Sequence, residues 1–201
     1  MQHALLVVAN REQFPEPVFP LGSLYVAGAL EAAGARARVF DAGLHRRPLA
    51  ALRAELAAFR PAVVGLSLRN ADNAAYPCTR TYTGWYERLA REVAAHAPGA
   101  RLVAGGPGFS IFPTELLRLL AADAGVIGDG EVAAVVLSGR AGTAGDAGLP
   151  ICAASSPARV PTPRSACRPR AAARTTASTA PTRGSKVPAC GGAHRKPSST
   201  R

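Results

Sequence analysis

The chain has 201 residues, enough for one domain of ordinary size and a remainder. Its net charge of +11 is unevenly spread: residues 1–138 hold 13 Arg, no Lys and 12 acids, whereas residues 139–201 hold 9 Arg and 2 Lys against the single acid Asp146. The basic part is diluted with Ala, Pro, Ser, Thr and Gly, and no aromatic residue beyond Phe112 is there to stack on a base. This argues against specific nucleic-acid binding, while no run approaches the ~20 apolar residues of a membrane span.

The opening MQHALLVVANREQF lacks a basic n-region and a small-residue cleavage site, so it reads as a buried strand, not a signal peptide. Cys78, Cys152, Cys167 and Cys190 show neither metal-ligand spacing nor the pattern of a disulfide framework. A cytoplasmic location is the expectation.

Ala4–Ala9 is a short apolar run that suits a strand buried on both faces. After the Pro-rich loop REQFPEPVFP, helical spacing covers Leu21–Ala33. Gly28 inside that helix suggests close approach to a sheet, and Gly34 suits its C-terminal cap. Ala37–Phe40 predicts a second strand, and Leu49–Phe59 a second helix stopped by Pro61. Ala62–Leu68 predicts a third strand and Thr83–Ala97 a third helix. Arg101–Ala104 predicts a fourth strand, and Pro113–Ala121 a fourth helix with proline in its first turn. Gly125–Ile127 predicts a fifth strand, with a last apolar helix after Glu131.

Five alternations of strand and helix predict an α/β fold, a parallel sheet covered on both faces. Ligands of such sheets bind beyond the carboxyl ends of the strands, near the switch in strand order. The polar and Gly-rich segments all fall at those ends: 10–20, 67–73, 105–110 and 128–131.

Gly105-Gly106-Pro107-Gly108 allows a large ligand to approach the backbone, and equally suits a tight turn. It is not a phosphate loop, since no Gly-Lys-Ser/Thr follows, and a dinucleotide fingerprint belongs after the first strand. Ser67 ends a strand where its hydroxyl can meet a ligand or simply cap the strand. Asp129 and Glu131 read as a turn whose backbone meets a ligand. The four histidines are scattered, and nothing in this half demands catalysis.

PLGSLYVAGALEAAGARARVFDAG, PAVVGLSLRNADN, LVAGGPGFSIFP and VIGDGE occur in that order. Together they resemble the cobalamin-binding domain of cobalamin-dependent radical S-adenosylmethionine (SAM) proteins over roughly residues 1–135. The resemblance implies a flavodoxin-like, Rossmann-like sheet in the order 2-1-3-4-5 over residues 1–138, holding cobalamin at the switch point. Ser67 would match the serine of the family's Ser-x-Leu element, although here Leu68 follows directly. Gly105 and Gly106 would match a Gly-Gly that packs against the nucleotide tail. Leu21, Gly22, Arg69 and Asn70 would line the corrin or tail, as would Gly108, Phe109, Gly128 and Gly130. The Asp-x-His-x-x-Gly that supplies a cobalt-ligating histidine in some such domains is absent after the first strand. The resemblance thus implies no protein imidazole on cobalt.

Relatives in this family continue into a barrel domain whose Cys-x-x-x-Cys-x-x-Cys holds a [4Fe–4S] cluster, with the open iron binding SAM. This chain has no such motif, and residues 139–201 have the composition of a disordered Ala/Pro/Ser/Arg-rich tail. That composition also fits the wrong frame of a GC-rich gene. Shifted by one base, the junctions 172/173, 176/177 and 179/180 all read xGC, which can encode Cys at the spacing Cys-x-x-x-Cys-x-x-Cys. The leading expectation is a cobalamin-binding portion of a methyltransferase-type enzyme, not catalytic alone. The alternatives are a flavin or sugar-nucleotide domain on the same fold, or an interaction module with a basic arm.

Overall fold

A computed structural model describes residues 2–13, 16–75, 77–131 and, for the backbone alone, 151–153. The strands are β1 (His3–Val8), β2 (Arg36–Asp41), β3 (Val63–Ser67), β4 (Arg101–Gly105), β5 (Ala124–Val126) and β6 (Ile151–Ala153). The helices are α1 (Leu21–Ala32), α2 (Pro48–Phe59), α3 (Thr83–His96), α4 (Pro107–Ile111) and α5 (Pro113–Leu120). The sheet order is β2-β1-β3-β4-β5-β6. The first five strands are parallel in the expected order 2-1-3-4-5, and β6 adds to β5 antiparallel.

β6 has no counterpart in the sequence reading, which treats residues 139–201 as one structureless tail; the remainder of that tail lies outside the described residues. So does the apolar helix expected after Glu131. The segment read as a Gly-rich loop after β4 instead winds into the single turn of α4, started by Pro107 at its first position. Cys78 is disulfide-bonded, a pairing of which the cysteine spacing gives no sign.

The sheet separates two apolar clusters. Leu5, Val7, Val64, Leu66, Leu102 and Ala104 face α2, α3, α4 and α5, which contribute Leu52, Leu56, Tyr86, Leu89, Val93, Phe109 and Leu116. Ala4, Leu6, Val63, Val103 and Val126 lie on the other face, where Leu30 of α1 joins them. This is the two-residue alternation of a strand: neighbours along β1 and β3 serve different faces. α1 is the only described helix contributing to the second cluster.

α1 ends as expected at Gly34, with φ of 82°. Gly28 has a different place from the one expected: it is exposed, and nothing lies within 4 Å of where a Cβ would stand. Close approach of α1 to the sheet therefore does not depend on it. At Gly125 closeness is real, because a Cβ there would stand 2.1 Å from the Phe109 ring.

Candidate functional site

The register aligns the carboxyl ends of the strands. Val8 pairs with Asp41 on one side and Ser67 on the other, and Ser67 pairs in turn with Gly105. The chain moves to opposite sides of β1 after β1 and after β3, so the switch in strand order falls between them. From this edge a cavity of about 590 Å³ opens between α1 and the sheet.

Its floor is the α1 side of the sheet: Ala4 and Leu6 of β1, Val63, Gly65 and Ser67 of β3, Val103 of β4 and Val126 of β5. Its wall is Gly22, Ser23, Val26 and Leu30 of α1. Its rim is Gly105, Gly106, Pro107, Ser110 and Ile111 after β4, with Gly128, Asp129, Gly130 and Glu131 after β5. Small residues on the floor leave room, and the apolar side chains make the space a poor place for water.

Backbone bonds hold the rim. Ala9 N–H donates to Ser67 O (3.1 Å), Leu68 N–H to Gly105 O (2.8 Å) and Gly108 N–H to Leu68 O (2.9 Å). Gly106 takes φ of 95°, and a Cβ on it would stand 2.7 Å from the Leu68 carbonyl oxygen. Only glycine fits that turn. The Ser110 hydroxyl donates to Gly106 O at 3.1 Å and accepts from Gly128 N–H at 3.0 Å.

Six of the twelve residues singled out from sequence meet at this cavity: Gly22, Ser67, Gly105, Gly106, Gly128 and Gly130. Leu21 is beside it at the start of α1, 54% exposed. Arg69 is exposed, and the Asn70 carbonyl accepts from the Tyr86 hydroxyl at 2.7 Å. Leu68 and Phe109 lie elsewhere: both are fully buried in the cluster under α2 to α5, and neither lines the cavity. Leu68 follows Ser67, and adjacent side chains in extended backbone point to opposite faces. Gly108 is buried under the Arg69–Asn70 turn, where a Cβ would come within 2.8 Å of Asn70 N. Sequence reasoning missed Ser23 and Ser110. Position 23 lies on the buried face of an otherwise apolar helical pattern, which was the available signal.

Three described histidines are engaged away from the cavity. His3 stacks on Phe59, His45 on Phe40, and His96 hydrogen-bonds Glu92 O. Among the described residues no group of three His, Cys, Asp or Glu is placed to hold a metal ion. Among the described residues no Lys or Arg lines the cavity; the charged ones that do are Asp129 and Glu131 at the rim. On the far side of the switch point the Tyr82 hydroxyl donates to the Glu12 carboxylate, and Trp85 Nε1–H to Ala9 O at 2.8 Å. These bonds tie the loop after β1 to α3. Burial, then the bond and charge of Glu12, push the Tyr82 hydroxyl up to about 12.

Residues 7–138 match the family model of the B12 binding domain. The chain is similar to a tryptophan 2-C-methyltransferase of Streptomyces laurentii, 32% identical over 132 residues, which are 65% of this chain and 22% of that protein. It also resembles the radical S-adenosylmethionine methyltransferase TsrM of Kitasatospora setae, solved with cobalamin and a [4Fe-4S] cluster. That match has a TM-score of 0.61 and 29% identity, covering 69% of this chain and 24% of that one. The cobalamin-dependent S-adenosylmethionine radical enzyme OxsB, with aqua-cobalamin bound, shares the fold at a TM-score of 0.56 and 14% identity, covering 71% and 19%. The chain thus spans about a fifth to a quarter of the length of these proteins.

Proposed function

The chain belongs to the B12-binding domain family, and on that premise we propose that its cavity receives the nucleotide tail of cobalamin while the corrin lies across the glycine rim. The observation that carries this is the shape of the site. An apolar slot of about 590 Å³ opens at the switch point, under a rim whose turns require glycine. A slot within the ~300–1,000 Å³ usual for small-ligand pockets suits a ring base and its sugar, and leaves a macrocycle outside. When bound, cobalamin supplies organometallic methyl-transfer chemistry. The residues of this chain bind and orient it and keep water from the buried part. Ser67 meets a polar edge of the tail, Gly105 and Gly106 let it pass close to the backbone, and Gly22, Gly128 and Gly130 shape the mouth. Leu21, Arg69 and Asn70 flank the corrin. None of the described histidines lines the cavity, so cobalt would take no imidazole from them.

The test is anaerobic reconstitution of the 201-residue chain with hydroxocobalamin, followed by gel filtration. The expected result is a stoichiometric cobalamin spectrum that travels with the protein. Colourless, folded protein would overturn the proposal.

We further propose that the chain corresponds to the N-terminal portion of a methyltransferase-type radical SAM enzyme. Its activity then requires the [4Fe–4S] cluster and SAM that a separate domain binds, and this chain alone holds only cobalamin. The composition of residues 139–201 and their shifted-frame cysteine spacing support a reading-frame change within the gene. Sequencing the nucleotides of codons 131–201 tests this: TGC at the three shifted junctions is expected, and any other triplet there refutes it.

A further inference from the structure

Resting on that reading, we infer that Ser23 selects the base of the cobamide tail, making the cavity favour a tail with a ring nitrogen over one without.

Ser23 lies in the first turn of α1 and is 6% exposed, the one polar or charged residue in the described core. It lines the cavity. Among the described residues its hydroxyl has no hydrogen-bond partner, and no side-chain capping bond is made at this end of α1. A hydroxyl on a nearly buried residue that meets no protein group is left to be satisfied by water or by a ligand. No fully buried side-chain oxygen or nitrogen among the described residues lacks a partner. The Ser23 oxygen therefore keeps some accessible surface, and the cavity is the space the residue lines.

The hydroxyls around the cavity have different standings. Ser110 is engaged on both sides, donating to Gly106 O and accepting from Gly128 N–H. Ser67, on the sheet floor, and Ser23, on the helix wall, have no such side-chain bonds among the described residues. Between them the lining is Leu6, Val26, Val63, Val103 and Val126, which offer no hydrogen bond. A flat base entering this slot buries its faces against aliphatic side chains, and below the polar rim it meets two serine hydroxyls that are not engaged elsewhere, Ser67 and Ser23. Ser67 alone gives the slot one donor. Ser23 adds a second from the opposite wall, and with it the slot discriminates: a benzimidazole offers a ring nitrogen as acceptor, whereas a phenol-type base offers carbon at every free ring position. Recognition by a buried hydroxyl acts mainly by penalising the ligand that leaves it unpaired.

Three probes separate this from its rivals: hydroxocobalamin with its benzimidazole base, the p-cresolyl cobamide, and cobinamide, which has no tail. Binding is followed by the visible spectrum for the full chain and for Ser23→Ala and Ser23→Cys. The full chain is expected to bind cobalamin about tenfold or more tightly than the p-cresolyl form. Both variants are expected to lose most of that preference through weaker cobalamin binding alone, leaving p-cresolyl cobamide and cobinamide unchanged. Those two probes also report that the variants fold. Equal weakening toward all three ligands would make Ser23 a packing residue, and unchanged cobalamin affinity would show that it meets no ligand atom; either overturns the inference while cobalamin binding stands. Failure of the full chain to bind any of the three overturns the cobalamin reading itself.

Discussion

The Ser110 hydroxyl accepts a hydrogen bond from the Gly128 backbone N–H at 3.0 Å. Since it also donates to Gly106 O, one side chain fastens the turn after β4 to the turn after β5. Ser110→Ala removes both bonds but leaves the exposed Gly128 N–H free to find water. The stability cost is therefore small, about 1 kcal/mol. The rim itself is freer, and a bound ligand must then order it. Cobalamin affinity is expected to fall about fivefold, from roughly 1 kcal/mol of added ordering. A spectral titration alongside a urea melt checks this. Loss of stability with unchanged affinity would show that the clamp has no part in the site.

Gly106 tests the rim from the backbone side. Its φ of 95° and the 2.7 Å that would separate a Cβ from Leu68 O leave no room for alanine. The obstructing atom is main chain and cannot swing aside. Gly106→Ala is expected to destabilise the fold by about 2–3 kcal/mol, read as a lower denaturation midpoint. Gly22→Ala is the contrast: nothing lies within 4 Å of that Cβ position, so little loss of stability is expected. Equal behaviour of the two would contradict the rim geometry.

The same geometry explains what the sequence made legible. Five apolar runs alternating with helical spacing are enough to fix a parallel sheet, and the glycines after β4 and β5 mark the rim because backbone constraints there are local. The faces of individual residues were harder. Ser67 and Leu68 both belong to the segment that resembles a cobalamin site, yet they point to opposite sides of the sheet, and Leu68 serves the core. Phe109 sits in a glycine-rich segment that reads as a loop, but Pro107 starts a helical turn that drives its ring against Gly125. Ser110 owes its role to a partner 18 residues away, and no local pattern shows that. β6 is three residues long and pairs with a strand equally short, below the length at which alternation carries information.

Alkaline pH should weaken the fold in a narrow window. Burial pushes the Tyr86 hydroxyl from 10 up to about 12, and Tyr82 shifts in the same direction. Between these values the folded protein keeps a proton that the unfolded chain has released. Stability therefore falls as pH rises: the contribution is complete below pH 10 and is lost as pH passes through about 12. With only two lysines in the chain, few other groups titrate there. Urea midpoints at pH 9 to 12, with phenolate absorbance recorded in parallel, are expected to show this slope. Tyr86→Phe should flatten it, and an unchanged slope in that variant would assign the effect to other groups.

Gly65 carries the sharpest test of where the ligand goes. It lies on the floor, on the same face of β3 as Val63 and Ser67, and a Cβ there would approach only Leu6 Cδ2, at 2.8 Å. That atom is the end of a flexible side chain that also lines the cavity. Valine at this position suits a strand, and the slot that Leu6 lines gives its displaced side chain room. Gly65→Val is therefore expected to leave the fold as stable as before while filling the space proposed for the tail. Cobalamin affinity should drop by at least about tenfold, toward that of tailless cobinamide, whose binding should be unchanged. If the Gly65→Val protein takes up cobalamin as tightly as the original chain, the tail is not in the slot, and the glycine of the floor needs another explanation.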